Sequence, residues 1–194
     1  VERKDVKPSR SLFKPASWAA KINFINHLIL LNNVLITVIA EKEGGKSSFK
    51  TLLQTNLDKQ IKSLSMTIEP PCNEATIIDA LTTQFHLNRT SETDIASIVA
   101  QINERKAHVL LIIDDAQNLP ETLVKHILWA IKSQGDFGFF HVCLVSDYSI
   151  VASLNQLADS QLNNLIHTIE LGPLSESEMR TYVLQRAMTA QLIH

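Results

Sequence analysis

"VLITVIAEKEGGKSSFKTLLQTNL", residues 34–57, decides the fold. Its first part, Val34 to Ala40, is a continuous apolar run rich in β-branched residues, which reads as a strand buried on both faces. Its last part carries a helical pattern that continues to Ile61. Between them lies the spacing A/G-x-x-x-x-G-K-S/T, with Ala40, Gly45, Lys46 and Ser47 at the fixed places. A loop between a buried strand and a helix turns backbone N–H groups inward, and the helix N-terminus favours an anion. Gly44 and Gly45 permit a close approach that a side chain would block. Lys46 adds positive charge near the β- and γ-phosphates of a nucleotide, and Ser47 offers a hydroxyl to Mg²⁺. The chain has five glycines and places two of them here, which argues against an incidental turn. The expected phosphate-binding set is therefore Ala40, Glu41, Gly44, Gly45, Lys46, Ser47 and Ser48.

Such a P-loop needs a carboxylate at the end of a neighbouring strand, and "HVLLIIDDAQNL" (108–119) supplies two. Asp114 is expected to hold magnesium, directly or through water. Asp115, pointing the other way by strand alternation, is expected to orient the attacking water as a general base. Lys46 and Asp115 are the catalytic candidates, and Ser47 and Asp114 the metal ligands. Gln117 is a further residue that could face the nucleotide.

Strands and helices alternate along the rest of the chain. Helices are expected over 18–31, capped by Ser17; over "NEATIIDALTTQFHL"; and over "SETDIASIVAQINERKA", opened by a Ser91-to-Asp94 capping box. Asn118 and Pro120 are expected to open another that ends at Gly135. Further helices are expected in "YSIVASLNQLA" and in the closing segment, behind a Ser175-to-Glu178 box. "LSMTIE" (64–69), "FFHVCLVS" and "IHTIEL" read as strands. This order implies an α/β three-layer sandwich with a mainly parallel sheet and right-handed crossovers. Residues 1–16 read as an arm or linker, 17–172 as the core and 173–194 as the start of a helical lid.

Composition sets limits on partners. The 194 residues suit one domain with a small appendage, and the net charge of −2 offers no strong sign of a nucleic-acid surface. Two unaccompanied cysteines, Cys72 and Cys143, suggest a reducing compartment rather than a disulfide framework. No apolar stretch reaches the roughly 18 residues needed to span a bilayer. The seven histidines lack metal-ligand spacing. His126 and Trp129 read as packing or surface residues of one helix. The chain begins with Val and ends in "AQLIH" within a helical pattern, as expected of a piece of a longer protein. A cytoplasmic location is expected, with any membrane attachment lying in other segments.

"LLIIDDAQNLP" resembles the "LLIIDEAQNL" signature of bacterial AAA-type ATPases of the ExeA/GspA/MshM group. DamX-related proteins and TniB-type transposition ATPases look similar. The segment from Leu171, with Pro173, Leu174, Glu178, Tyr182 and Arg186, is similar to that group's entry into its lid. The resemblance covers residues 17–194. It implies ATP and Mg²⁺ as cofactors, protein partners or self-assembly, and a role in secretion, pilus or cell-division complexes. It also implies γ-phosphate sensing at the end of "HVCLV", by Ser146 or Asp147. Glu178, Tyr182 and Arg186 have the spacing of one helix face, where a structural ion pair is the default reading and a nucleotide contact from Arg186 the alternative.

Three positions and one segment depart from the group's pattern. Asp115 replaces the usual Glu, Glu43 and Ala40 replace glycines, and "QLNNLIHTIEL" (161–171) holds no arginine for a neighbouring subunit's nucleotide. These departures imply slow or assembly-dependent hydrolysis. They leave open a pseudo-ATPase that serves as an interaction platform and a DNA-associated ATPase of the transposition type.

Overall fold

Apolar runs with no polar face cannot sit at a surface, and here three of them form the middle of one sheet. The protein is described by a computed structural model covering residues 16–41, 45–157 and 161–172. In chain order the elements are α1 (Ala16–Leu31), β1 (Leu35–Ile39), α2 (Lys46–Thr55), β2 (Ile61–Thr67), α3 (Glu74–Phe85) and α4 (Ile95–Arg105). β3 (His108–Asp114), α5 (Glu121–Lys132), β4 (Phe140–Ser146), α6 (Ile150–Leu157) and β5 (Ile166–Glu170) follow. Short 3₁₀ turns span Ala116–Asn118 and Asn163–Leu165.

The five strands pair in the order β2-β3-β4-β1-β5, all parallel. The α/β three-layer reading holds, and the sheet is parallel throughout. Every residue of β1 and β4 is buried, as expected of strands covered on both faces. The outer strand β2 buries only Ile61 and keeps a polar alternation, as an edge strand can.

Helices α1 and α2 cover one face. Trp18, Ile22, Ile25, Ile29, Phe49 and Leu52 meet Ile36, Val38, Leu110, Ile112 and Val145 there, together with Cys143. Helices α3 to α6 cover the other face, against Leu35, Ile39, Leu111, Ile113, Val142 and Leu144. Among the described residues no helix is long and apolar enough to cross a membrane.

Several element starts differ from expectation, for local reasons. α1 begins at Ala16, so Ser17 lies inside its first turn rather than capping it. α4 begins at Ile95, later than the Ser91 box implies. Thr90 and Thr93 are tied in their own turn, with Thr90 N–H donating to Thr93 Oγ1 at 2.8 Å. Asp94 is the cap that follows, accepting from the Ser97 N–H at 2.8 Å. α3 has the reciprocal cap, Asn73 with Thr76. α5 starts after Pro120 without a side-chain cap, and the Asn118 amide instead donates to the Ile68 carbonyl. β2 starts at Ile61, three residues before the expected Leu64. The closing helix, its Ser175 box, and residues Glu178, Tyr182 and Arg186 lie outside the described residues.

At the N-terminal edge of the sheet a knot of amides satisfies backbone that the elements leave open. Asn33 Nδ2 donates to the carbonyls of Ile131 at 2.6 Å and Gly135 at 2.8 Å. Gln134 Nε2 donates to Asn33 Oδ1 at 2.8 Å, and Gln134 Oε1 accepts the Phe140 N–H at 2.8 Å. The entry to β1, the end of α5 and the start of β4 are thereby joined, leaving the opposite edge to the site.

Candidate functional site

The site lies along the C-terminal ends of β1, β4 and β3. Register places Ile39 beside Ser146 and Glu170, and Asp114 beside Thr67 and Val145. Because β4 lies between β1 and β3, the loop after β1 and the acid pair after β3 flank the end of β4. That crevice is where parallel α/β sheets bind ligands.

Ala40 leaves β1 fully buried, and its N–H donates to the Ser146 carbonyl at 3.1 Å. Glu41 is exposed. Lys42, Glu43 and Gly44 lie outside the described residues. Gly45 then caps α2 with φ +84°. A Cβ there would stand 2.7 Å from Trp18 Cη2, so glycine is needed both for the left-handed backbone and for the space. Trp18 packs edge-on against Phe49, with ring centroids 5.5 Å apart, and forms the floor beneath the loop's last glycine.

The first helical bond of α2 runs from the Phe49 N–H to the Gly45 carbonyl at 2.9 Å, and among the described residues no side chain caps the helix. The N–H groups of Lys46, Ser47 and Ser48 thus lack carbonyl partners within the helix, the arrangement that receives a phosphate. Lys46 and Ser48 are half-buried and Ser47 is exposed. No acidic side chain stands in the first turn of α2.

Asp114 ends β3. Its Oδ1 accepts the N–H of Asp115 at 2.9 Å, and its Oδ2 accepts from Lys50 Nζ at 3.1 Å. Lys50 was not singled out by the motifs. The signal that could have found it is its place four residues after Lys46, on the same face of α2. Asp115 lies beyond the strand with φ +55°, ψ +41°, and starts the 3₁₀ turn. Its direction is therefore set by a left-handed turn rather than by strand alternation. Its carboxylate makes no hydrogen bond or ion pair among the described residues.

Ser146 ends β4 fully buried, and its hydroxyl donates to the carbonyl of Asp147 at 2.9 Å. Asp147 Oδ1 accepts the Ser149 N–H at 2.9 Å and so turns into its own loop. Gln117 Oε1 is buried with no hydrogen-bond partner among the described residues. Tyr148 is exposed beside the site, and its phenol is held above its ordinary value by desolvation and by the carboxylates of Glu170 and Glu41. The rim near β5 is therefore acidic. His126 lies away from the site and pairs with Glu74 at 2.8 Å.

The start of α2 fits a nucleotide's phosphates: its first N–H groups lack helical partners, Gly45 is left-handed, Lys46 follows it, and no acid stands in the first turn. On the acid side a cation would meet a carboxylate already in use. Asp114 has both oxygens engaged, one by a cation, and the Ser47 hydroxyl makes no hydrogen bond to it. Among the described residues no group of three His, Cys, Asp or Glu side chains could hold a metal ion.

Comparison with known proteins agrees with this geometry. The family model for the AAA domain matches residues 32–145, more than half of the chain. The ORC2 protein of Aeropyrum pernix, in its ADPNP–ADP complexes, superposes with a TM-score of 0.71 at 12% identity, over 90% of this chain and 52% of that one. Cdc6p from Pyrobaculum aerophilum gives a TM-score of 0.69 at 17% identity, over 97% of this chain and 54% of that one. Drosophila ORC bound to GC-rich DNA and Cdc6 gives 0.59 at 9% identity, over 84% of this chain and 30% of that one. The chain thus spans about half the length of the archaeal chains it resembles. No curated protein sequence matches it. At these identities the structural likeness speaks to the fold, and the family model to kinship: the chain belongs to the AAA domain family.

Proposed function

We propose that this chain is an ATP-binding module that hydrolyses ATP slowly, or only when assembled with further copies or partners. The observation that carries the reading is Gly45 in its left-handed conformation at the uncapped start of α2, with Lys46 beside it and Asp114–Asp115 across the end of β4. Lys46 and the N–H groups of α2 bind the phosphates. Asp115, with its carboxylate free among the described residues, orients the attacking water. Ser146 marks the γ-phosphate end, and Arg186 adds a contact from the lid. ATP binding drives a conformational change in a secretion, pilus or cell-division complex. The module works in the cytoplasm.

Three features support slow turnover. Asp115 is one methylene shorter than glutamate, and misplacing the water costs rate steeply. No arginine stands between residues 161 and 171 to reach a neighbouring subunit, and such an arginine is worth roughly 10³–10⁵ in rate. Asp114 is already bound to Lys50. Turnover below about one per minute is expected, against the usual ~1–10³ per second. Steady-state phosphate release by the isolated chain tests this, with Asp115→Glu alongside. Brisk turnover by the wild type alone contradicts the reading. A faster Asp115→Glu variant identifies the short carboxylate as one cause.

One observation favours a DNA-associated reading: among proteins of this fold is the Aeropyrum pernix ORC1 protein, described in complex with DNA. The net charge of −2 weighs against it. Duplex binding that weakens with salt would favour it over an envelope role.

A further inference from the structure

We propose that Lys50 is an internal counter-ion that holds the place of a divalent cation at Asp114, so that the site takes ATP equally well without magnesium. The inference rests on the nucleotide-binding reading above.

Lys50 Nζ stands 3.1 Å from Asp114 Oδ2, and the two side chains are only 20% and 14% exposed. The pair is shielded from solvent, where a charge contact is stronger than at an open surface. The other carboxylate oxygen is taken by the Asp115 N–H at 2.9 Å. Asp114 thus has one charged and one neutral donor within the protein. The Ser47 hydroxyl, the natural second ligand for a cation here, faces solvent and makes no hydrogen bond among the described residues.

A magnesium ion demands near-octahedral oxygen ligands at about 2.1 Å and loses its water reluctantly. To bind Asp114 it would have to share the carboxylate with an ammonium group 3.1 Å from Oδ2, and the two cations would repel while both were near. Lys50 is also well placed to stay. It lies one turn along α2 from Lys46, on the same face, so one helix sends two positive charges to the site. Lys50 offsets the charge of Asp114, so no unpaired acid faces the polyphosphate, and Lys46 and the helix N-terminus receive it without a metal between. An ammonium supplies charge but offers no coordination sites to polarise an attacking or departing oxygen. The same substitution that frees binding from magnesium therefore also accounts for slow hydrolysis.

The test is calorimetric titration of ATP into the wild type, Lys50→Met and Lys50→Arg, each in EDTA and in millimolar Mg²⁺, with circular dichroism to establish folding. The wild type and Lys50→Arg should show affinities that agree within about twofold in the two conditions. Lys50→Met, with Asp114 released, should bind about tenfold or more tightly with Mg²⁺ than without it. A wild type that gains about tenfold from Mg²⁺ overturns the proposal, whether or not Lys50→Met folds. So does a folded Lys50→Met that remains indifferent to the metal. If none of the proteins binds ATP in either condition, the nucleotide-binding reading falls as well. Equal metal dependence in the wild type and Lys50→Met removes this inference alone.

Discussion

Gly45 and Asp115 both have left-handed backbone, and they differ in what that costs. Glycine takes the conformation freely, whereas an L-residue loses roughly 1–2 kcal/mol there, Asp and Asn somewhat less. Gly45→Ala meets a second obstacle, the Trp18 ring 2.7 Å from the new Cβ. It should cost about 1–3 kcal/mol in urea denaturation and most of the ATP affinity. A loss below a few tenths would show that the loop can shift off its floor. Asp115→Gly should have the opposite effect on stability, a gain of roughly 0.5–1 kcal/mol, while phosphate release disappears. A destabilised Asp115→Gly would mean that the carboxylate has a structural partner. The backbone also gives a reason for Asp at this position, since Asp adopts the left-handed region more readily than most residues. Gly45 was legible in the sequence because a spacing of fixed residues names it. Lys50 was not, since a lysine on a helix usually reads as a solvated charge. Only the fold brings its ammonium to Asp114, 64 residues away in sequence.

The strongly patterned elements were the legible ones. β1, β3 and β4 are apolar runs that only a doubly covered sheet can bury, and their positions followed from sequence to within a residue or two. α4 starts later than the capping-box spacing of Ser91 and Asp94 implies, because Thr90 and Thr93 close a turn around Ser91 and Asp94 alone caps the helix. β2 starts earlier than its apolar residues imply, because its edge position tolerates Lys62 and Ser63, which a propensity argument rejects. The amide knot at the start of β1 was not legible, since Asn32–Asn33 reads as a polar turn before a strand. Asn33 is 93% buried by its 7% exposure, and its amide serves two carbonyls and one donor. Asn33→Ala should therefore cost about 2–3 kcal/mol, because it leaves buried backbone groups unpaired. A shift in urea midpoint equivalent to less than about 0.5 kcal/mol would indicate that water replaces the amide.

For the molecule as a whole, the sheet order sets what the two edges do. One gathers the phosphate loop, Ser146 and the acid pair; the other buries His108 and His141, whose ring nitrogens lie 3.3 Å apart. Burial, with His108 beside it, pushes the His141 imidazole down to about 3. Below the ordinary value near 6.5 the unfolded chain takes up a proton that the folded chain refuses. Stability should therefore fall between about pH 6.5 and 3, at up to roughly 1.4 kcal/mol per pH unit from this group. His141→Leu should flatten that limb in urea denaturation at stepped pH, and an unchanged slope would assign acid sensitivity elsewhere. Strand order was only partly legible: alternation of strands and helices implied parallel pairing, but the placement of β4 between β1 and β3 depends on long-range packing. That placement is what makes one site of two motifs about seventy residues apart, and the claim built on it is that the chain binds ATP through Lys46. The most direct measurement is calorimetric titration of ATP into the wild type and Lys46→Ala, with circular dichroism on both. The account predicts saturable binding by the wild type, and loss of most of that affinity in a variant with an unchanged spectrum. Equal affinity in the two proteins, or no binding by the wild type, would contradict it.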